Sequence, residues 1–153
     1  MNYYGQIKKI IEEDDTFYIE GKVSNMIIKE SEDILQVKFP TEYKKYISEC
    51  GCIGFGDSIL FGLDPDGGNE ERGTVLGDTL FARTEFSLSK EYIVVEYQDY
   101  ENLYALKCSL NKELNDSSVY SFDINYDNKL ASPVKVSDSF KEHFKSFVDS
   151  LKE

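Results

Sequence analysis

The feature that most constrains the fold is the order in which hydrophobic periodicity changes along the chain. Apolar residues recur at helical spacing from residue 3 to about residue 50, at strand spacing from 92 to 122, and at helical spacing again after 139. Tyr3, Ile7, Ile10 and Ile11 predict a first helix, closed by the acidic run Glu12–Asp15. Ser24 suits the N-cap of a second helix with Ile27, Ile28, Ile34 and Leu35 on its apolar face. That helix is expected to end at Phe39-Pro40, because proline pushes the preceding residue out of the helical region. Thr41 suits the cap of a third helix, with Tyr43, Tyr46, Ile47 and Cys50 on one stripe and Gly51 at its end.

Eight of the ten glycines lie between Gly51 and Gly77, which predicts turns and irregular backbone around a short strand at Ile59–Phe61. Leu80–Phe86 is read as a short helix. Tyr92–Val95, Leu103–Leu106 and Val119–Phe122 read as strands, the first two joined across Gln98–Asn102. Ser139-Phe140-Lys141-Glu142 matches a capping box, and Phe140, Phe144, Phe147, Val148 and Leu151 form one stripe behind it. Helices first, strands in the middle and a helix last is α+β segregation around one core. No linker, repeat or low-complexity stretch divides residues 1–153, so one domain is expected.

Size and charge exclude several functions. A chain of 153 residues buries about 70% of its extended surface, so its core needs neither disulfide nor metal. Seventeen bases against 29 acids give a net charge of −12, which argues against a nucleic-acid binder and against anionic membrane surfaces. Three cysteines, Cys50, Cys52 and Cys108, suit a reducing compartment. The N-terminus has no apolar run of signal-peptide type, and no stretch approaches the roughly 20 apolar residues of a membrane helix. A cytoplasmic protein is predicted. The acids are concentrated: residues 46–106 hold twelve against Arg72, Arg83 and Lys90, so this segment carries −9 of the −12.

No catalytic, cofactor or metal constellation emerges. Cys50, Cys52, Cys108 and His143 lack the paired two-to-four-residue spacing of a structural zinc site, and the cysteines read as small core residues. His143 is the one histidine; it lies at the edge of its helix's apolar stripe and reads as a residue covering the core. Asp123–Asp127 and Asp64–Asn69 superficially resemble calcium loops but lack the later ligands, and turn chemistry explains both. Gly51–Gly56 has neither the GK[ST] sequence nor a preceding strand. What remains is the acidic middle with its tyrosines: Tyr97, Tyr100 and Tyr104 lie on or beside the predicted hairpin with Glu96, Asp99 and Glu101. Aromatic anchors ringed by carboxylates suit a basic protein partner. The same tyrosines could instead pack the sheet, with the acids maintaining solubility.

Glu32-Asp33-Ile34-Leu35-Gln36-Val37-Lys38-Phe39-Pro40-Thr41-Glu42-Tyr43-Lys44-Lys45-Tyr46 resembles the signature of the SUKH superfamily, the Smi/Knr-type domain. The glycine-rich loop with Ile59–Gly62, the Tyr92–Val95 strand, the Val119-Tyr120 strand ending in Asp123 and the Ser139-Phe140 helix extend the likeness from about Ile7 to Leu151. The resemblance implies an α+β domain whose mixed or mainly antiparallel sheet has N-terminal helices and a C-terminal helix packed around it. It brings no catalytic residues and no cofactor. It further implies an immunity protein of a bacterial polymorphic toxin system, a toxin–antitoxin pairing in which the chain neutralises a cognate toxin, often a nuclease, by binding it. Nuclease surfaces are basic because they hold phosphate, so the acidic segment is expected to occupy such a surface, with Asp64, Asp66, Glu70, Glu71, Asp99, Tyr100 and Glu101 as contacts. The alternative is an interaction scaffold or regulatory module of the Smi/Knr cell-wall type, unrelated to toxins.

Overall fold

The computed structural model describes residues 2–98 and 101–151, the side chain of Leu151 excepted. Three helices lead: α1 (Tyr3–Ile11), α2 (Asn25–Leu35) and α3 (Thr41–Cys50), with strand β1 (Phe17–Ile19) between the first two. β2 (Ile53–Phe55), β3 (Ser58–Leu60), α4 (Val75–Glu85), β4 (Tyr92–Gln98), β5 (Asn102–Lys107) and β6 (Val119–Asp123) form the middle, and β7 (Val134–Ser137) and α5 (Phe140–Leu151) close the chain. The mainly antiparallel sheet is present but divided in two, ordered β1-β2-β3 and β4-β5-β6-β7, and every pairing among these strands is antiparallel. Phe61 N–H donates to the Val95 carbonyl at 2.8 Å and stitches one sheet to the other. Val95 sits in a register shift between Val94 and Glu96, which leaves it out of the pairing with β5.

Several helix ends differ from the sequence expectation. α2 stops at Leu35, four residues before Phe39-Pro40, because Gln36 turns left-handed (φ 59°) and the Glu32 carboxylate accepts the Phe39 N–H at 2.7 Å. The Arg83 guanidinium donates to the Leu35 carbonyl at 2.8 Å, satisfying one of the open groups at the end of α2. Thr41 is not the cap of α3. Pro40 holds that position without a side-chain bond, and the Thr41 and Glu42 N–H groups donate to the carbonyls of Leu114 and Asn115 at 2.8 and 2.9 Å. Ser139 caps α5 by accepting the Glu142 N–H at 3.1 Å, while the Asp116 carboxylate accepts from Phe140 and Lys141 at 2.8 and 3.3 Å. Ser24 caps α2 as expected.

The core is aromatic where the helices meet. Tyr4, Tyr43, Tyr46, Phe140 and Phe144 are fully buried, with ring centroids 4.9 Å apart in the Tyr4–Phe144 and Tyr43–Phe140 pairs. Their hydroxyls do not go unpaired. Tyr43 donates to the Phe61 carbonyl at 2.7 Å, and Tyr46 donates to that of Leu60 at 2.6 Å while accepting the Ile53 N–H. The two tyrosines of the signature therefore fasten α3 to the start of the sheet. Where α3 ends, Gly51 (φ 72°) crosses Gly62 so closely that a Cβ on Gly62 would lie 1.6 Å from the Gly51 carbonyl oxygen. Ile10 and Ile34, placed on apolar faces by spacing alone, turn to solvent.

Candidate protein-interaction site

The acidic residues 64–71 belong to a loop running from Leu63 to the N-cap of α4, and local chemistry fixes its shape. Asn69 is buried; its side chain accepts the Asp64 N–H at 2.7 Å and donates to the Asp64 carbonyl at 3.2 Å. Asp64 in turn accepts the Asp66 N–H at 2.8 Å, an Asx turn that uses the carboxylate as turn chemistry demands. Thr74 donates to the Asn69 carbonyl at 2.6 Å and caps α4 by accepting the Gly77 N–H at 3.0 Å. Gly77 is obligatory here, since a Cβ would lie 1.7 Å from the Glu71 carbonyl oxygen.

The one base of the loop is engaged by α4, although half of its side chain stays exposed. Arg72 Nε donates to Asp78 Oδ1 at 2.6 Å, and its guanidinium lies 3.6 Å above the Phe81 ring and 5.6 Å from that of Tyr97. Asp78, 1% exposed, also accepts the Gly73 N–H at 2.7 Å. Asp66, Glu70 and Glu71 face solvent and Asp64 is half-buried. Among the described residues no ion pair involves any of the four.

The other expected contacts divide. Glu101 is exposed at the β4–β5 turn, held by its N–H to the Gln98 carbonyl and by its own carbonyl to Ile124. It belongs to a different element from the loop, and the end of β4 that carries the turn is tied to the loop through Arg72 and Tyr97. Asp99 and Tyr100 lie outside the described residues. Tyr97 and Tyr104 serve packing: Tyr97 meets Phe61 edge-on at 6.0 Å, and Tyr104 meets the His143 ring at 5.4 Å. Burial, chiefly, pushes the Tyr97 phenol up to about 12, and its hydroxyl is enclosed with no hydrogen-bond partner among the described residues.

Glu96 is not a surface acid. It is 4% exposed, immediately after the register shift in β4, and His143 Nε2 lies 3.0 Å from its Oε1. His143, 6% exposed, is more deeply placed than a residue at the stripe's edge, and its Nδ1 lies 3.4 Å from Ser137 Oγ. Carboxylate, imidazole and hydroxyl thus stand in a row. Gln98 Nε2 also donates to Glu96 Oε2 at 2.5 Å, and the row ties β4, β7 and α5 together. Sequence spacing could not have revealed a pair 47 residues apart.

The thiols are equally settled. Cys50, Cys52 and Cys108 are buried and unbridged, and burial pushes the first two up to about 12 and the third higher still. Among the described residues no cluster of three or more His, Cys, Asp or Glu side chains is placed to hold a metal ion.

Fold and site together define an α+β domain in which helices enclose two antiparallel sheets and a braced loop presents uncompensated carboxylates. The chain belongs to the SUKH_5 family, described as SMI1-KNR4 cell-wall, which matches residues 6–149. No curated protein matches it. Among the described residues, no helix is long and apolar enough to cross a membrane.

Proposed function

We propose that this chain, acting as one SUKH-like domain over residues 1–153, is a cytoplasmic immunity protein that binds and neutralises a basic protein toxin, a nuclease of a polymorphic toxin system. The observation that carries this reading is the loop at 64–71, whose adjoining base, Arg72, is engaged by buried Asp78 while the acids form no ion pair among the described residues. A rigid loop of unpaired carboxylates raises the local concentration of a basic partner and speeds association by roughly 10- to 1,000-fold, in a salt-sensitive way. Asp64, Asp66, Glu70 and Glu71 are assigned the first contact, and Asp99, Tyr100 and Glu101 are assigned to the same interface. The family includes immunity proteins, which supports the reading.

The test is capture of partners from the native host with tagged protein. Each captured protein is then expressed alone and together with this chain. The reading predicts a basic protein whose toxicity is relieved by co-expression, and an association rate that falls at least about tenfold when Asp64, Asp66, Glu70 and Glu71 are replaced by their amides. An unchanged rate and salt dependence in that variant would remove the acidic loop from the interface. A set of cell-wall or signalling partners without toxicity would favour a scaffold role, which the family's cell-wall description also accommodates.

A further inference from the structure

Beside the acidic loop lies a groove of about 250 Å³, walled by one face of α2 and floored by the start of α4. Its apolar part is made by Ile27, Ile34 and Leu76, and Ile34 is 43% exposed. Its rim carries Glu30 from α2 and Glu70 and Glu71 from the loop, all three facing solvent. None of these carboxylates is in an ion pair or side-chain hydrogen bond among the described residues, although Lys29 next to Glu30 pairs with Asp33. Three like charges surrounding an open apolar slot repel one another and are complemented by a single cation on an aliphatic stem.

We infer that this groove receives an arginine side chain of the basic partner, its methylenes against Ile27, Ile34 and Leu76 and its guanidinium among Glu30, Glu70 and Glu71. Arginine fits better than lysine because its flat fork donates five N–H groups in several directions and is less strongly hydrated. Arginine is also among the side chains that most often anchor interfaces. The inference rests on the acidic loop as the partner-facing surface, and it adds Glu30 and the α2 face to that surface.

The full chain, labelled for amide NMR, would be titrated with the peptide Ac-Gly-Ser-Arg-Ser-Gly-amide and with the same peptide carrying uncharged citrulline. The expected result is a set of shifts at Ile27–Ile34 and at Gly67–Leu76 with the arginine peptide alone. Glu30→Gln and Ile34→Ala, both exposed positions that leave the core intact, should each weaken it roughly two- to fivefold. Shifts confined to the loop and unaltered by Glu30→Gln and Ile34→Ala would overturn the groove while leaving the acidic-surface reading standing. Equal binding of the citrulline peptide would also overturn it. Absence of shifts in both regions would overturn the groove and the acidic loop together.

Discussion

Replacing Glu32 should reveal how much one side chain contributes to the join between α2 and α3. Its carboxylate is 6% exposed and accepts the Phe39 N–H at 2.7 Å across the left-handed turn at Gln36. Glu32→Ala leaves that buried N–H without a partner, which costs about 1–3 kcal/mol, and removes a buried methylene contributing about 0.8 kcal/mol. Relief of the carboxylate's own desolvation offsets part of this, so a net loss of about 2–3 kcal/mol is expected. For a chain of this length that corresponds to a fall of roughly 4–12 °C in Tm. Glu32→Gln retains an acceptor and should lose about 1 kcal/mol. The neighbouring Asp33, exposed and paired only with Lys29 on the same helix, gives the control: Asp33→Ala should change stability by less than about 0.5 kcal/mol. Urea unfolding followed by far-ultraviolet circular dichroism measures all three, read as midpoint shifts at constant slope. If Glu32→Ala and Asp33→Ala are indistinguishable, the carboxylate does not hold the turn.

Other consequences concern packing and pH. His143→Ala should destabilise by about 1–3 kcal/mol by leaving the buried Glu96 Oε1 without its imidazole partner while Gln98 still donates to Oε2, and Glu96→Leu in the same chain should recover part of the loss; strict additivity in that cycle would show the two are uncoupled. Gly77→Ala should lower Tm despite alanine's better helix propensity, because the methyl would meet the Glu71 carbonyl at 1.7 Å and displace the acidic loop, whereas a stabilised variant would refute that contact. Burial raises the Cys50 and Cys52 thiols to about 12, above the roughly 8.5 of an unfolded thiol, so their contribution to stability is complete below that value and is lost as pH rises towards 12. The urea midpoint should therefore fall from about pH 8.5 upward as the thiols' contribution is lost, and more steeply above about pH 10, where the raised phenols of Tyr43 and Tyr46 begin to lose theirs; a flat profile from about pH 8.5 to about pH 11 would contradict the burial of all four groups.

The parts of the fold legible in the sequence are those set by local physics. The stripe of Tyr43, Tyr46, Ile47 and Cys50 is buried because helical spacing and core burial coincide in α3. α4 is longer than expected because its first turn, Val75–Thr79, is buried all round and so carries no periodic signal. β1 and β2 are three residues each, and their pairing joins segments far apart in sequence. Gly56-Asp57 between Phe55 and Ser58 was a readable cue for the β2–β3 hairpin, since a glycine with positive φ opens its two-residue turn. β7 had no such cue: Val134 and Val136 are exposed, and pairing with β6 alone makes the strand. Charge placement pointed to the loop at 64–71, but composition could not separate Glu96, drawn inward by His143, or Asp78, drawn inward by Arg72, from the acids that reach solvent.

The helix ends described above also bear on cooperativity. α2 is finished by Arg83, α3 begins on the carbonyls of Leu114 and Asn115, and α5 begins on Asp116. Each of these helices leaves an end open until a segment distant in sequence arrives, so none is a self-sufficient folding unit. A chain truncated before residue 113 would forfeit the start of α3, and with it the anchorage of Tyr43 and Tyr46 on the first sheet. Assembly is therefore close to all-or-none, with Leu114–Asp116 acting as the clasp that closes the starts of both α3 and α5.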